Sequence, residues 1–204
     1  MTASLSVIAA VVALLALALI AIERGPGTSK ELALVATIGA AAAAGRVLFA
    51  PLPSVKPVTT ICVVTGAALG ARAGLAVGAI AALVSNAFLG QGWWTPAQML
   101  LWGLAGVSGA ALRPLARRPV GLAAITCVWG FVFGWAMDLW SLALFGPEVS
   151  WASFVARTST GMWFNTAGAI GNVVFSLTIG PALYRLILRY RARVHVELSE
   201  GATA

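Results

Sequence analysis

Apolar residues run along this chain in long blocks, each closed by a short polar break that carries Gly or Pro. The first block, Leu5–Ile22, holds 18 residues without a charge and ends in E-R-G-P-G-T-S-K. The second runs from Leu32 to about Ala50, the third from Val58 to Gly70 and the fourth from Leu75 to Leu89. A fifth covers Ala97 to about Leu112, and a sixth covers Pro119 to about Phe145, interrupted by Asp138. The segment Gly146–Gly161 reads as a polar connection bearing Glu148 and Arg157. A seventh block, Met162 to about Leu188, passes into the basic string R-Y-R-A-R-V-H. Apolar runs of about 18 residues or more predict spanning helices. In hydrocarbon each backbone N–H and C=O must be paired within the segment, which favours helix. Runs such as Val11–Ile22 do not alternate, so a β-barrel is excluded. The pattern predicts an all-α integral membrane protein of seven spans.

Composition agrees. Of 204 residues, 60% are hydrophobic and 9% charged, where a soluble domain carries roughly 25% charged residues. A single membrane domain is expected, with no soluble domain beside it. No Lys or Arg precedes Leu5, so that block reads as a membrane helix rather than a secretory leader. The charge of +7 would point to nucleic acid in a soluble protein, but its distribution explains it otherwise. Seven spans place Arg24, Lys30, Arg72, Arg113, Arg117, Arg118, Arg185, Arg189, Arg191 and Arg193 on one side, against Arg46, Lys56 and Arg157 on the other. By the positive-inside rule the N-terminus is outside and the C-terminus cytoplasmic. Cys62 and Cys127 fall inside apolar blocks at no ligand-like spacing and read as small buried hydrophobes. The one histidine, His195, lies in the basic tail.

Two polar clusters, punctuated by Pro and Gly, stand out between Arg46 and Gln98. A pair of spans separates them and returns the chain to the same side. This gathers Arg46, Lys56, Thr59, Thr60, Asn86, Gln91, Trp93, Trp94, Thr95, Gln98 and Trp102 at one end, with Asp138, Trp140, Trp151, Arg157, Trp163 and Asn165 joining from the later spans. Some of the Trp residues belong to an interfacial belt. Asn86 and Asp138 need another account, because polar groups in apolar helices face a cavity or a partner. Asp138 either meets a ligand or forms an ion pair with Arg157 or Arg46. Aromatic walls with convergent amides and hydroxyls are what a small-molecule pocket requires. Enzyme readings lack their parts: there is no H-E-x-x-H, G-x-S-x-G or phosphate-cradling Gly-rich loop, and no carboxylate pair within a span. On the second span, Ala36, Ala40 and Ala44 lie four apart. Such a stripe serves close helix packing, either inside the bundle or against a partner protein.

The strings G-R-V-L-F-A-P-L-P-S-V-K-P-V-T, G-A-A-L-G-A-R-A-G-L-A-V-G, L-V-S-N and G-Q-G-W-W-T-P-A-Q-M-L-L-W-G-L-A-G resemble the substrate-binding S-components of energy-coupling factor (ECF) vitamin transporters. The cobalamin branch is the most similar. The resemblance covers Glu31–Leu112, about eighty residues, while the later spans fit in length and placement only. It implies a six-helix S-component-like bundle at 31–190, with one extra N-terminal transmembrane helix and loop at 1–30 and a basic, polar cytoplasmic tail at 191–204. It further implies a vitamin, cobalamin or a related corrinoid, bound from outside by a protein with no cofactor, metal or catalytic residue of its own. Lys56, Thr59, Asn86, Gln91, Trp93, Trp94, Thr95, Gln98, Trp102, Asp138 and Asn165 are the expected ligand-binding residues. Ala36 and Ala40 would dock a membrane coupling subunit, which two cytoplasmic ATPases drive. The Leu5–Ile22 helix is extra to the family pattern, and Trp93 stands where Pro is frequent. Two other classes remain open: a stand-alone facilitator or exporter, and a ligand-free membrane assembly protein.

Overall fold

The computed structural model describes residues 29–146 and 149–201, with positions 9, 12, 13, 16 and 20 before them. The Leu5–Ile22 span taken as a whole, Arg24 and Glu148 lie outside the described residues. Among the described residues every regular element is an α-helix: α1 (Ser29–Leu48), α2 (Val58–Leu69), α3 (Ala71–Leu89), α4 (Thr95–Ala111), the single turn α5 (Arg113–Ala116), α6 (Pro119–Phe145), α7 (Trp151–Thr178) and α8 (Gly180–Gly201). Three of them, α1, α3 and α6, are long and apolar enough to cross a membrane. The pair α7 and α8, bent by 55° at its break, makes a fourth if it counts as one span.

At the centre lies α2. Its 12 residues are apolar or Thr on every face, and all but Leu69 are buried. A helix without a polar face is a core helix. Around it α1, α3 and α4 pack into one half of the molecule, while α6 and α7 pair along their length to form the other. Glycines set the closest approaches. A methyl group added at Gly74 on α3 would lie 2.7 Å from the Gly106 carbonyl carbon on α4, and one at Gly78 would strike the Trp102 and Gly103 backbone. On the other side of α4, Gly109 rests on the Val63 backbone of α2. Small residues let helix backbones meet without a side chain between them. The α2–α3 turn is made at Gly70, whose φ of 106° is a left-handed conformation that glycine adopts freely.

Several boundaries differ from the sequence reading. Gly146–Gly161 is not a polar connection, because α7 begins at Trp151 and carries Arg157 within it. Its start is a capping box: the Ser150 hydroxyl accepts from the Ser153 N–H at 3.2 Å, and the Ser153 hydroxyl accepts from the Ser150 N–H at 3.0 Å. Asp138 does not interrupt α6, which runs unbroken for 27 residues. The last block is not one helix from Met162 to Leu188 but two, meeting between Thr178 and Gly180. Arg72 lies in the first turn of α3, one residue past the turn glycine and its neighbour.

Candidate functional site

The antiparallel course of α1 to α4 brings the C-terminal turns of α1 and α3 beside the N-terminal turn of α4. The two polar clusters meet there. Arg46 Nη1 donates to Ser85 Oγ at 2.6 Å and to Asn86 Oδ1 at 2.5 Å. The Asn86 amide nitrogen donates to Thr95 Oγ1 at 2.9 Å and to Gln98 Oε1 at 3.0 Å. Thr95 in turn donates to Gln91 Oε1 at 2.9 Å, and Gln91 Nε2 donates to the Leu83 carbonyl at 2.9 Å. Asn86 is fully buried and its amide is satisfied at both ends by the protein. It therefore does not line an open pocket; it clamps Arg46 onto α4. Thr95, also buried, and Gln91 tie the 90–94 loop to the same network.

Beyond this clamp the ring side chains form a layer between the two halves. The Arg46 guanidinium lies 5.0 Å above the Trp102 ring. Trp102 stacks on Phe133 of α6 at 4.8 Å between centroids, with 23° between the planes. Lys56, in the loop between α1 and α2, holds its Nζ 6.0 Å from the centre of the same Phe133 ring. Burial, and after it the neighbouring Arg46 charge, push the Lys56 ammonium down to about 8. Next along α6, Gly134 packs directly on the Asn165 amide of α7. Two donors in this layer are buried yet have no hydrogen-bond partner among the described residues: Trp102 Nε1 and Asn165 Nδ2. Natural interiors leave few such groups unpaired, and each costs free energy.

The other expected residues fall around this layer. Trp93 packs edge-on against Trp94 at 5.6 Å and Phe145 at 4.9 Å. Its carbonyl accepts from Trp140 Nε1 at 3.0 Å, which fastens the 90–94 loop to α6. Trp140 is buried, whereas Trp151 and Trp163 are 78% and 61% exposed and fit an interfacial belt. Asp138 Oδ1 lies 3.7 Å from Arg157 Nε, and Arg157 Nη2 donates to Ser141 Oγ at 2.7 Å. Of the two arginines considered as partners for Asp138, Arg157 is the one at ion-pair distance. Thr59 is buried, and no hydrogen bond joins it to the Arg46–Asn86 network.

Sequence reasoning missed a second polar centre. Thr60 Oγ1 lies 3.1 Å and Thr126 Oγ1 2.8 Å from Ser176 Oγ, while Asn172 Nδ2 donates to the Thr126 carbonyl at 2.9 Å. All four side chains are buried where α2, α6 and α7 meet. Its members bond to one another, so it holds the two halves together. Among the described residues no group of three or more His, Cys, Asp or Glu side chains is placed to hold a metal.

The fold and site define a helical membrane protein, with a layer of cations, rings and unpartnered donors at one end of the bundle. No protein-family model, curated protein or solved structure matches the chain.

Proposed function

We propose that this chain is the substrate-binding component of an ECF-type vitamin importer. It takes a corrinoid such as cobalamin at the tryptophan-rich end and leaves ATP hydrolysis to partner subunits. The observation that carries the reading is the pair of buried, unpaired donors that face α6 at Phe133 and Gly134. Trp102 Nε1 and Asn165 Nδ2 have no acceptor among the described residues, and Lys56, with donors only, lies over the Phe133 ring on which Trp102 stacks. A ligand that completes this layer must present acceptors and a flat apolar body. The amide carbonyls, phosphodiester and planar ring of a corrinoid offer both. The resemblance over Glu31–Leu112 supports the transporter class and the six-plus-one helix arrangement. On α1, Ala36, Ala40 and Ala44 are exposed while Ile38, Gly39, Ala42 and Ala43 turn inward. That supports docking of a coupling subunit on the outer small-residue face. The Lys/Arg asymmetry supports a ligand end outside the cell and a cytoplasmic C-terminus.

The test is a titration of the purified protein with cobalamin, read as quenching of tryptophan emission. Saturable quenching is expected. Asn165→Ala and Lys56→Gln should each weaken it on the order of tenfold, the scale of one lost hydrogen bond to a buried or charged group. Absence of saturable quenching, together with no small molecule found by mass spectrometry of the purified protein, would overturn the reading. Binding of a different vitamin would retain the transporter and remove the corrinoid.

A further inference from the structure

At the opposite end of the bundle a cavity of about 320 Å³ opens between the C-terminus of α2, the α4–α5 junction and α8. Three guanidiniums, those of Arg113, Arg117 and Arg191, line it together with Tyr184. Two are held in place by one N–H each: Arg117 Nε donates to Tyr184 Oη at 3.0 Å, and Arg191 Nη1 donates to the Ala68 carbonyl at 3.1 Å. The Arg113 guanidinium makes no hydrogen bond to the described residues, and none of the three has a carboxylate partner among them. Like charges gathered around one cavity repel, and an unbalanced set is stabilised when an anion enters. Guanidiniums bind phosphate oxygens through paired N–H groups, so phosphate matches the lining better than a monatomic anion.

We infer that this cavity binds the phosphate headgroup of an anionic phospholipid. The shared chemistry is a phosphate oxyanion; the apolar surroundings decide for lipid over a free ion. Leu188 forms part of the cavity wall and is 36% exposed, and Leu115, between Arg113 and Arg117, is 44% exposed. Acyl chains descending from a bound headgroup would cover both. Arg185, Arg189 and Arg193 recur every four residues along α8 and are exposed, but none of them lines the cavity. The site is separate from the tryptophan-rich end, so the inference stands or falls independently of the proposed transport role.

The experiment is native mass spectrometry of the detergent-purified chain, incubated with phosphatidylglycerol, with phosphatidylcholine, or with millimolar inorganic phosphate. Retention of phosphatidylglycerol over phosphatidylcholine is expected. Arg113→Gln should cut it roughly tenfold, as expected for one lost charge-assisted contact. Arg185→Gln with Arg189→Gln, which leaves the cavity intact, should leave retention nearly unchanged. The Arg113 side chain has no internal hydrogen bond to lose, so this variant is expected to fold, which its melting temperature checks. Displacement of the lipid by inorganic phosphate would keep the oxyanion site and overturn the lipid as its source. Equal retention of the two lipids, retention unaffected by Arg113→Gln, or equal loss in the Arg185/Arg189 variant would overturn the proposal.

Discussion

Replacing Asn86 by Ala tests whether the amide is a clamp rather than a ligand contact. The substitution removes three hydrogen bonds: one accepted from Arg46 and two donated to Thr95 and Gln98. Thr95 keeps Gln91 as a partner and Arg46 keeps Ser85, so neither is left bare. The bond to a charged group is worth about 1.5–3 kcal/mol and a neutral one about 1 kcal/mol. With the two neutral bonds added, the expected loss is about 3.5–5 kcal/mol, since half-buried Gln98 can turn its oxygen to water. For a chain of this size each kcal/mol shifts the melting temperature by roughly 2–4 °C, so a drop on the order of 10 °C is expected. Cys62 supplies the readout, because it is fully buried in α2 and reacts with a thiol-specific dye only on unfolding. The half-buried Cys127 is first replaced by Ala so that Cys62 alone reports. Ser85→Ala, which removes one Arg46 contact and leaves the Asn86 amide bonds in place, should cost less. A melt of Asn86→Ala within about 2 °C of its parent would refute the clamp.

Ala36→Trp with Ala40→Trp should abolish uptake and co-purification of a coupling subunit while leaving cobalamin quenching intact; loss of quenching as well would mean that this face supports the bundle itself. Asp138→Asn should lower stability by less than about 1 kcal/mol in the same dye melt, because the Arg157 partner is 47% exposed and such pairs are weak. Ligand affinity should fall as pH rises through about 8, where Lys56 gives up its proton; the charged form favours an acceptor-bearing ligand, so affinity is retained below that value. In titrations at several pH values, Lys56→Gln should flatten this dependence. Cysteine placed at Gln91 should react with an impermeant thiol reagent in intact cells, while cysteine at Arg117 should not, and the reverse pattern would invert the topology.

The meeting of the two polar clusters was legible because a pair of apolar blocks separates them, and a chain that crosses twice returns to the same end. What Asn86 does there was not. Residue type says that an amide in an apolar helix has a partner, but Arg46 lies 40 positions away, and nothing local distinguishes it from a ligand. The start of α7 was hidden by the charge of Arg157 and the hydroxyls of residues 150–160, which resemble a loop. The Ser150–Ser153 spacing was the available signal. The Thr60–Thr126–Asn172–Ser176 centre could not be read at all. A lone hydroxyl in an apolar helix bonds its own preceding turn, as Thr126 does to the Leu122 carbonyl at 3.0 Å. Only the tertiary fold brings these side chains from three helices together.

The glycine crossings also decide where this molecule can yield. Where backbone rests on backbone, as at Gly74 and Gly106 or Gly109 and Val63, no rotamer stands between the helices to absorb a displacement. The α2–α4 core must therefore move as one block. The boundary with α6 and α7 is built differently at the tryptophan-rich end, from the Trp102–Phe133 stack and the Trp140 bond to the Trp93 carbonyl. Side-chain torsions can open that boundary and close it again. A bulky guest wedged there would pry two rigid bodies apart like a hinge rather than loosen either of them. The glycine-crossed core would hold its shape throughout.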